Sequence, residues 1–231
     1  MKINYLIFAS LLLLLTSCFE VREEIDLKKD GSGTYQIVLD MSKSKNMIAV
    51  AMKMAENDEK MQASGNPFSD VDSVFVKGAQ SLNGMEGINN AKGSYDKQNY
   101  IFTTKFDFKN IDALNDALNE MNKRKNPELE SFPVTFKFEK NIFERTSNFY
   151  MKDLTNFSEQ TGGDEQKIAQ VQAVLKTATY ISVIRTPEGK IKKFSNEKAV
   201  LSEDKKELRL SANLSEITEG KISLGNVLKI K

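Results

Sequence analysis

The chain holds a single cysteine, Cys18, and no histidine among its 231 residues. Those two facts bound the chemistry. Serine–histidine and cysteine–histidine catalysis are excluded, and so is the usual general base near neutral pH. No cysteine or histidine pair exists to build a zinc or copper site, and a lone thiol closes no internal disulfide. Chemistry that runs on carboxylates or lysine survives, for example a glycosidase-like pair of acids. Asp and Glu total 32, yet they fall mostly on polar faces and turns where solvation accounts for them, and no pair stands out. Asp30-Gly31-Ser32-Gly33-Thr34 starts like a calcium loop, but Tyr35 and Met41 occupy the positions where an EF-hand needs glycine and glutamate. Asp70 and Asp72, at the start of a helical pattern, are better read as compensating its dipole than as metal ligands. The expectation is a protein that is not an enzyme, with no catalytic residues, no cofactor and no metal.

The setting of Cys18 is more informative than its solitude. Lys2 precedes an apolar run, Ile3–Leu15, which ends in Thr16-Ser17-Cys18. The run is shorter than the about 20 apolar residues that a membrane span requires, and it has the order of a signal peptide, a basic start followed by a leucine-rich middle. Cleavage by an ordinary signal peptidase would put Leu15 where a small residue is wanted. Leu15-Thr16-Ser17-Cys18 instead resembles the lipobox of bacterial lipoproteins. The resemblance implies a diacylglyceryl thioether on Cys18, cleavage after Ser17 and acylation of the new amino group; the alternative is a cleaved signal that leaves a free thiol. Phe19 follows the cysteine where some bacteria use Asp to retain lipoproteins at the inner membrane. The expected address is therefore the outer membrane, facing the periplasm. Lys and Arg number 33 against 32 acids, and the signal removes Lys2, so the remaining charges balance. Neutrality without a basic block argues against nucleic acid and against a polybasic membrane patch. The membrane is expected to be held through lipidated Cys18 alone.

The rest of the chain must fold behind that anchor. Val21, Ile25 and Leu27 alternate with polar residues, as do Tyr35, Ile37, Leu39 and Met41, around a Gly-rich turn at 29–33. This pattern predicts a hairpin with one buried face. Residues 42–61 carry a Met-rich helical stripe, which reads as core packing or as an adaptable apolar groove. A second helix is expected from Ser69 or Asp70 to Leu82, then a strand over 87–95. Tyr100, Phe102, Thr104, Phe106 and Phe108 line one face of a further strand, and Phe132, Val134, Phe136 and Phe138 repeat the alternation. Between them Ile111, Leu114, Ala117, Leu118 and Met121 form a helical stripe. The expected class is α+β, an antiparallel sheet with helices on one face. Over 34–140 the elements run in the ferredoxin-like βαββαβ order, with Glu20–Leu27 extending the sheet beside Thr34–Met41. A strand over 142–147, a short amphipathic segment at 149–158, a linker at 160–163, a helix from Asp164 and a strand-rich end complete the chain. The domain division is then 1–17 signal, 18–160 anchored domain, and 161–231 packed on the same domain.

With both ends in view, the chain resembles the LppM-like group of bacterial envelope lipoproteins. The residues that carry this are the lipobox, the immediate strand with Lys29-Asp30-Gly31-Ser32-Gly33, and the late segment Tyr180-Ile181-Ser182-Val183-Ile184-Arg185-Thr186-Pro187-Glu188-Gly189-Lys190. Members of the group often carry a C-terminal transmembrane helix, and the sequence to Lys231 holds no second apolar stretch of that length. The resemblance implies an envelope lipoprotein and suggests lipid binding. Two functions compete. One is a protein-interaction or envelope-structural module with a protein partner. The other is a module for a lipid or other apolar ligand, held between the helices and an aromatic sheet face built from Phe102, Phe106, Phe136 and Phe138.

Overall fold

The computed structural model describes residues 19–46, 48, 73–123, 134–146 and 175–231. The expected helix over 42–61, the segment at 149–158, the linker at 160–163, the helix from Asp164, and Cys18 itself lie wholly or largely outside those residues, while the second expected helix is described from Ser73 to Leu82 and is helical there, first π and then α. Among the described residues the class is mixed α+β and strand-rich, with two sheets and few helices.

Strands β1 (Glu20–Leu27) and β2 (Gly33–Asp40) form the hairpin that the alternation predicts, paired over their full length. Its turn is local chemistry. Asp30 Oδ1 accepts from the Ser32 backbone N–H at 2.9 Å and from the Ser32 hydroxyl at 2.7 Å, while Gly31 takes φ 83°. Glycine is required there twice over, because the Phe138 ring lies where a Cβ would stand. Strands β3 (Ile88–Asp96) and β4 (Ile101–Phe108) make a second hairpin, and β4 pairs with β2.

Downstream come β5 (Phe136–Glu139), β6 (Ile142–Arg145), β7 (Thr179–Arg185), β8 (Ile191–Phe194), β9 (Val200–Leu201), β10 (Glu207–Asn213) and β11 (Asn226–Ile230). The larger sheet has the order β3-β4-β2-β1-β7-β10-β9, which puts β1 at its centre. There β1 pairs antiparallel with β2 and parallel with β7. The smaller sheet has the order β5-β6-β11-β8. Strands from 179–230 thus take places in both sheets. Among the described residues the helices include α1 (Gly78–Leu82), α2 (Ile111–Lys123) and α3 (Leu214–Thr218), with a π-helical stretch, Ser73–Lys77, leading into α1. No helix among the described residues is long and apolar enough to cross a membrane.

The expected ferredoxin-like order is not realised as a whole. β2, β3 and β4 lie as that topology demands, antiparallel in the order β3-β4-β2. The fourth strand does not. Phe136–Glu139 belongs to the smaller sheet, and β1 occupies the place beside β2. The first is a departure and the second is the hairpin the alternation predicts, and both are local in origin. The short turn after Leu27 pairs β1 with β2 at little loop-closure cost. Lys140 and Asn141 take φ 51° and 62°, the pair of left-handed residues that a two-residue type I′ turn needs, and so fold β5 onto β6. Val134, expected on the aromatic face, precedes β5 and is 50% exposed.

The open edge of β5 is closed by one side chain. Asn115 of α2, buried, donates from Nδ2 to the Phe136 carbonyl at 2.8 Å and accepts at Oδ1 from the Phe136 N–H at 3.0 Å. It acts as a one-residue strand on an edge that would otherwise hold unpaired backbone groups. The apolar face of α2 is as expected: Ile111, Leu114, Ala117 and Leu118 are buried in the main core, and Met121 packs against it. Replacing Asn115 by alanine keeps helix propensity and strands two buried backbone groups. The expected loss is about 2–4 kcal/mol, read as a lower urea midpoint with unchanged m-value.

Candidate functional site

The polar centre of the molecule lies between the two sheets. β1 presents Val21, Glu23, Ile25 and Leu27 on its inner face, so Glu23 stands in an apolar row at 1% exposure. Arg145, at the end of β6 and 2% exposed, donates from Nη1 to Glu23 Oε2. Tyr35 of β2 donates its hydroxyl to Glu23 Oε1 at 3.0 Å, and Tyr180 of β7 donates to Oε2 at 2.8 Å. Arg145 Nη2 also reaches the Tyr180 hydroxyl at 3.4 Å. The guanidinium lies 5.3 Å from the centroid of the Phe136 ring, which stacks on Phe143. A carboxylate with three donors and an arginine on a ring face are the conditions under which two charges survive burial. The arrangement is closed to solvent, and its chemistry is cross-linking: it joins β1, β2 and β7 of one sheet to β6 of the other.

The four phenylalanines singled out from the sequence do not form one surface. Phe102 is fully buried in its own aromatic stack, 4.1 Å from Tyr95 with the rings 8° apart, and 5.6 Å from Phe75. Phe106 stacks on Tyr35 at 5.2 Å, and Phe136 packs under Arg145; both belong to the main core. Phe138 is half-buried over the Gly31 turn and touches that core. Cys18 lies outside the described residues. Its neighbour Phe19 is described, and the Phe19 carbonyl already accepts from the Thr179 N–H at 3.0 Å, one residue before β1 begins.

An open recess of about 490 Å³ lies where the π-helical stretch crosses β3 and β4. Its walls include Val76, Ala91, Lys92, Ser94, Thr103 and Lys105. A bulge shapes it. The β3–β4 register shifts between Asn89 and Lys92, with Asn90 at φ 53°. Asn90 Nδ2 donates to Asp107 at 2.7 Å and Thr34 donates to the same carboxyl at 2.7 Å. Together, the Asn90 bond foremost, they hold that carboxyl below its ordinary pKa. Gly93 lets the helix approach, since a Cβ there would come within 2.3 Å of the Phe75 carbonyl. Past the bulge, Lys92 and Lys105 are direct cross-strand partners, as are Ser94 and Thr103. Like charges placed opposite each other destabilise a sheet. Lys92, Ser94, Thr103 and Lys105 thus share one face of the hairpin, and Gly93 and Thr104 face the helical stretch on the other. Among the described residues no group of three or more acids or cysteines could hold a metal ion.

Comparison with protein-family models finds no match, and comparison with curated proteins finds none either. Among solved structures, the chain is similar to the folded domain of the Mycobacterium tuberculosis LppM protein, solved by NMR, with a TM-score of 0.39 and 10% identity. That alignment covers 92% of this chain and 88% of that one.

Sequence reasoning missed Glu23 and Arg145 although the signal was present. Each stands in phase with buried residues of its strand, Glu23 with Ile25 and Leu27, Arg145 with Phe143. Breaking the pair from one side, as in Arg145→Met, should cost about 3–5 kcal/mol because it leaves Glu23 charged and buried. The double variant Glu23→Leu/Arg145→Met should recover most of that loss. A double-mutant cycle in urea measures both.

Proposed function

We propose that this chain is a lipid-anchored protein of the bacterial cell envelope that works by binding a partner rather than by catalysis. Its support is the junction between anchor and domain: the lipobox-like Leu15-Thr16-Ser17-Cys18 runs into the central strand of the larger sheet with only Phe19 between them. A signal peptide removed by an ordinary peptidase needs no such adjacency, whereas an anchor that holds a folded domain at the bilayer gains rigidity from it. More than one acyl chain makes such anchoring stable. The absence of Asp after the cysteine favours the outer membrane, with the domain in the periplasm. Replacing Cys18 by alanine should move the protein from the membrane to the soluble fraction and remove the diacylglyceryl mass from the intact protein. Membrane retention of that variant would sink the anchor.

The binding surface we favour is the recess at Lys92 and Lys105. A sheet that tolerates two lysines directly opposite each other has given up stability at that point, and an acidic group on an envelope protein partner would relieve the repulsion. The rival reading, an apolar ligand between sheet and helices, requires Phe102, Phe106, Phe136 and Phe138 to line a cavity. Three of them are closed under neighbouring rings instead, which lends that reading no support. A photo-crosslinker at Ser94 in living cells should yield a reproducible adduct that disappears in the Lys92→Glu/Lys105→Glu variant while its circular dichroism is unchanged. An adduct pattern indifferent to that charge reversal would remove the recess from the reading.

A further inference from the structure

The ends of the central strands coincide in register. Glu20 pairs with Asp40 on one side and Thr179 on the other; Asp40 pairs with Ile101, Ile101 with Asp96, and Thr179 with Asn213. These residues therefore share one rim of the larger sheet, and Phe19 leaves from its middle. Just beyond the rim stand the 3₁₀ turn Ser42–Ser44, the turn 97–100 and Lys176. The opposite rim carries the turn at 28–32 and the turn at 186–189, joined where the Lys29 N–H donates to Glu188 at 3.3 Å.

Chain length decides which rim can reach a membrane. Consecutive Cα atoms are about 3.8 Å apart, so a lipidated Cys18 has its glyceryl group within a few ångströms of the first rim. Eight strand residues at about 3.3 Å each set the far rim about 25 Å away. Charge does not choose between the ends, because exposed Lys28, Lys29 and Lys206 crowd the far rim as Lys43, Lys45, Lys97 and Lys176 crowd the near one. The near rim has one feature beyond charge. Tyr100 is half-buried and held at φ 55°, a conformation that bulky residues avoid, with its carbonyl accepting from the Met41 N–H at 3.1 Å. Tyrosine is a residue of membrane–water interfaces, where its ring lies among headgroups, and lysines beside it keep their charge in the headgroup layer while their stems lie along apolar surface.

From this geometry we infer that the near rim, with Phe19, Tyr100, Lys43, Lys45, Lys97 and Lys176, lies directly against the phospholipid headgroups, and that the larger sheet stands on the membrane with β1 close to the bilayer normal. The inference rests on the lipid anchor proposed above. It assigns a membrane-contacting surface, leaving the recess and the far rim turned toward the aqueous side.

The test uses the full chain, acylated in bacteria, purified in detergent and reconstituted into phosphatidylethanolamine–phosphatidylglycerol vesicles that contain headgroup-spin-labelled lipid. Acylated Cys18 does not react with thiol reagents, so a fluorophore can be attached at Lys97→Cys or, separately, at Lys29→Cys. The expected result is several-fold stronger quenching at 97 than at 29, reproduced by Lys43→Cys on the same rim should Lys97→Cys misfold. Equal quenching at the two rims, or stronger quenching at 29, overturns the orientation. The intact mass, recorded on the same samples, separates the two levels: absence of the acyl mass on Cys18 overturns the anchor itself, and with it this orientation.

Discussion

The buried pair of Glu23 and Arg145 is the contact on which the two-sheet arrangement turns. The smaller sheet is short-stranded, and its strands could pack on an apolar face in more than one register. A carboxylate buried at the middle of β1 admits few solutions. It must meet a cation at that depth, and Arg145 reaches it only when β6 crosses at one height and angle. Tyr35 and Tyr180 then fill the remaining acceptor positions. Such a pair is weak as a source of stability, because desolvation consumes most of the attraction. Its contribution is specificity: an alternative docking of the sheets leaves two charges unpaired in the core, and that penalty exceeds the marginal stability that separates one packing from another.

The same logic of local claims explains where the topology follows the sequence pattern and where it departs. Period-2 alternation identifies the strands well, since Phe102, Thr104, Phe106 and Phe108 all point inward as their spacing requires. Alternation says nothing about which strand sits beside which. That choice was made by turns: Asp30 and Gly31 between β1 and β2, Lys140 and Asn141 between β5 and β6. The second of these lacks glycine and is hard to recognise without its dihedrals, which is why Phe136–Glu139 was expected to close a ferredoxin-like sheet. Once it turns back on itself, the position beside β2 is open, and the hairpin partner β1 fills it.

The functional surfaces were legible to unequal degrees. The residues around Cys18 stand out in one dimension, because a basic start, an apolar run and a lone cysteine are linear features. Glu23 and Arg145 could have been found by phase alone, as charged residues in rows that are otherwise buried. The recess could not. It exists because a bulge at Asn90 brings Lys92 opposite Lys105 and because Gly93 lets Phe75 and Val76 approach the strand; the pairing register that makes two lysines neighbours is invisible until β3 and β4 are aligned. Phe102, Phe106 and Phe108 share one face of β4, but Phe136 belongs to the other sheet and Val134 to no strand, so side-chain type and spacing together could not tell a cavity lining from a core.

The place of β1 would join the proposed anchor to the core. A chain tethered at Cys18 would pass any pull from the membrane into the first strand, and that strand is flanked by β2 over eight residue pairs and by β7 over seven. A force along β1 loads both ladders in shear, so many hydrogen bonds resist together. An edge strand would instead have one ladder to share the load, and a flexible linker would take up the force before any strand did. The buried carboxylate of Glu23 sits three residues inside that strand, fastening it to Arg145 on the second sheet. The strand nearest the proposed anchor is thus the one the rest of the molecule grips from both sides and from above, a sensible place to join a rigid domain to a surface it must not leave.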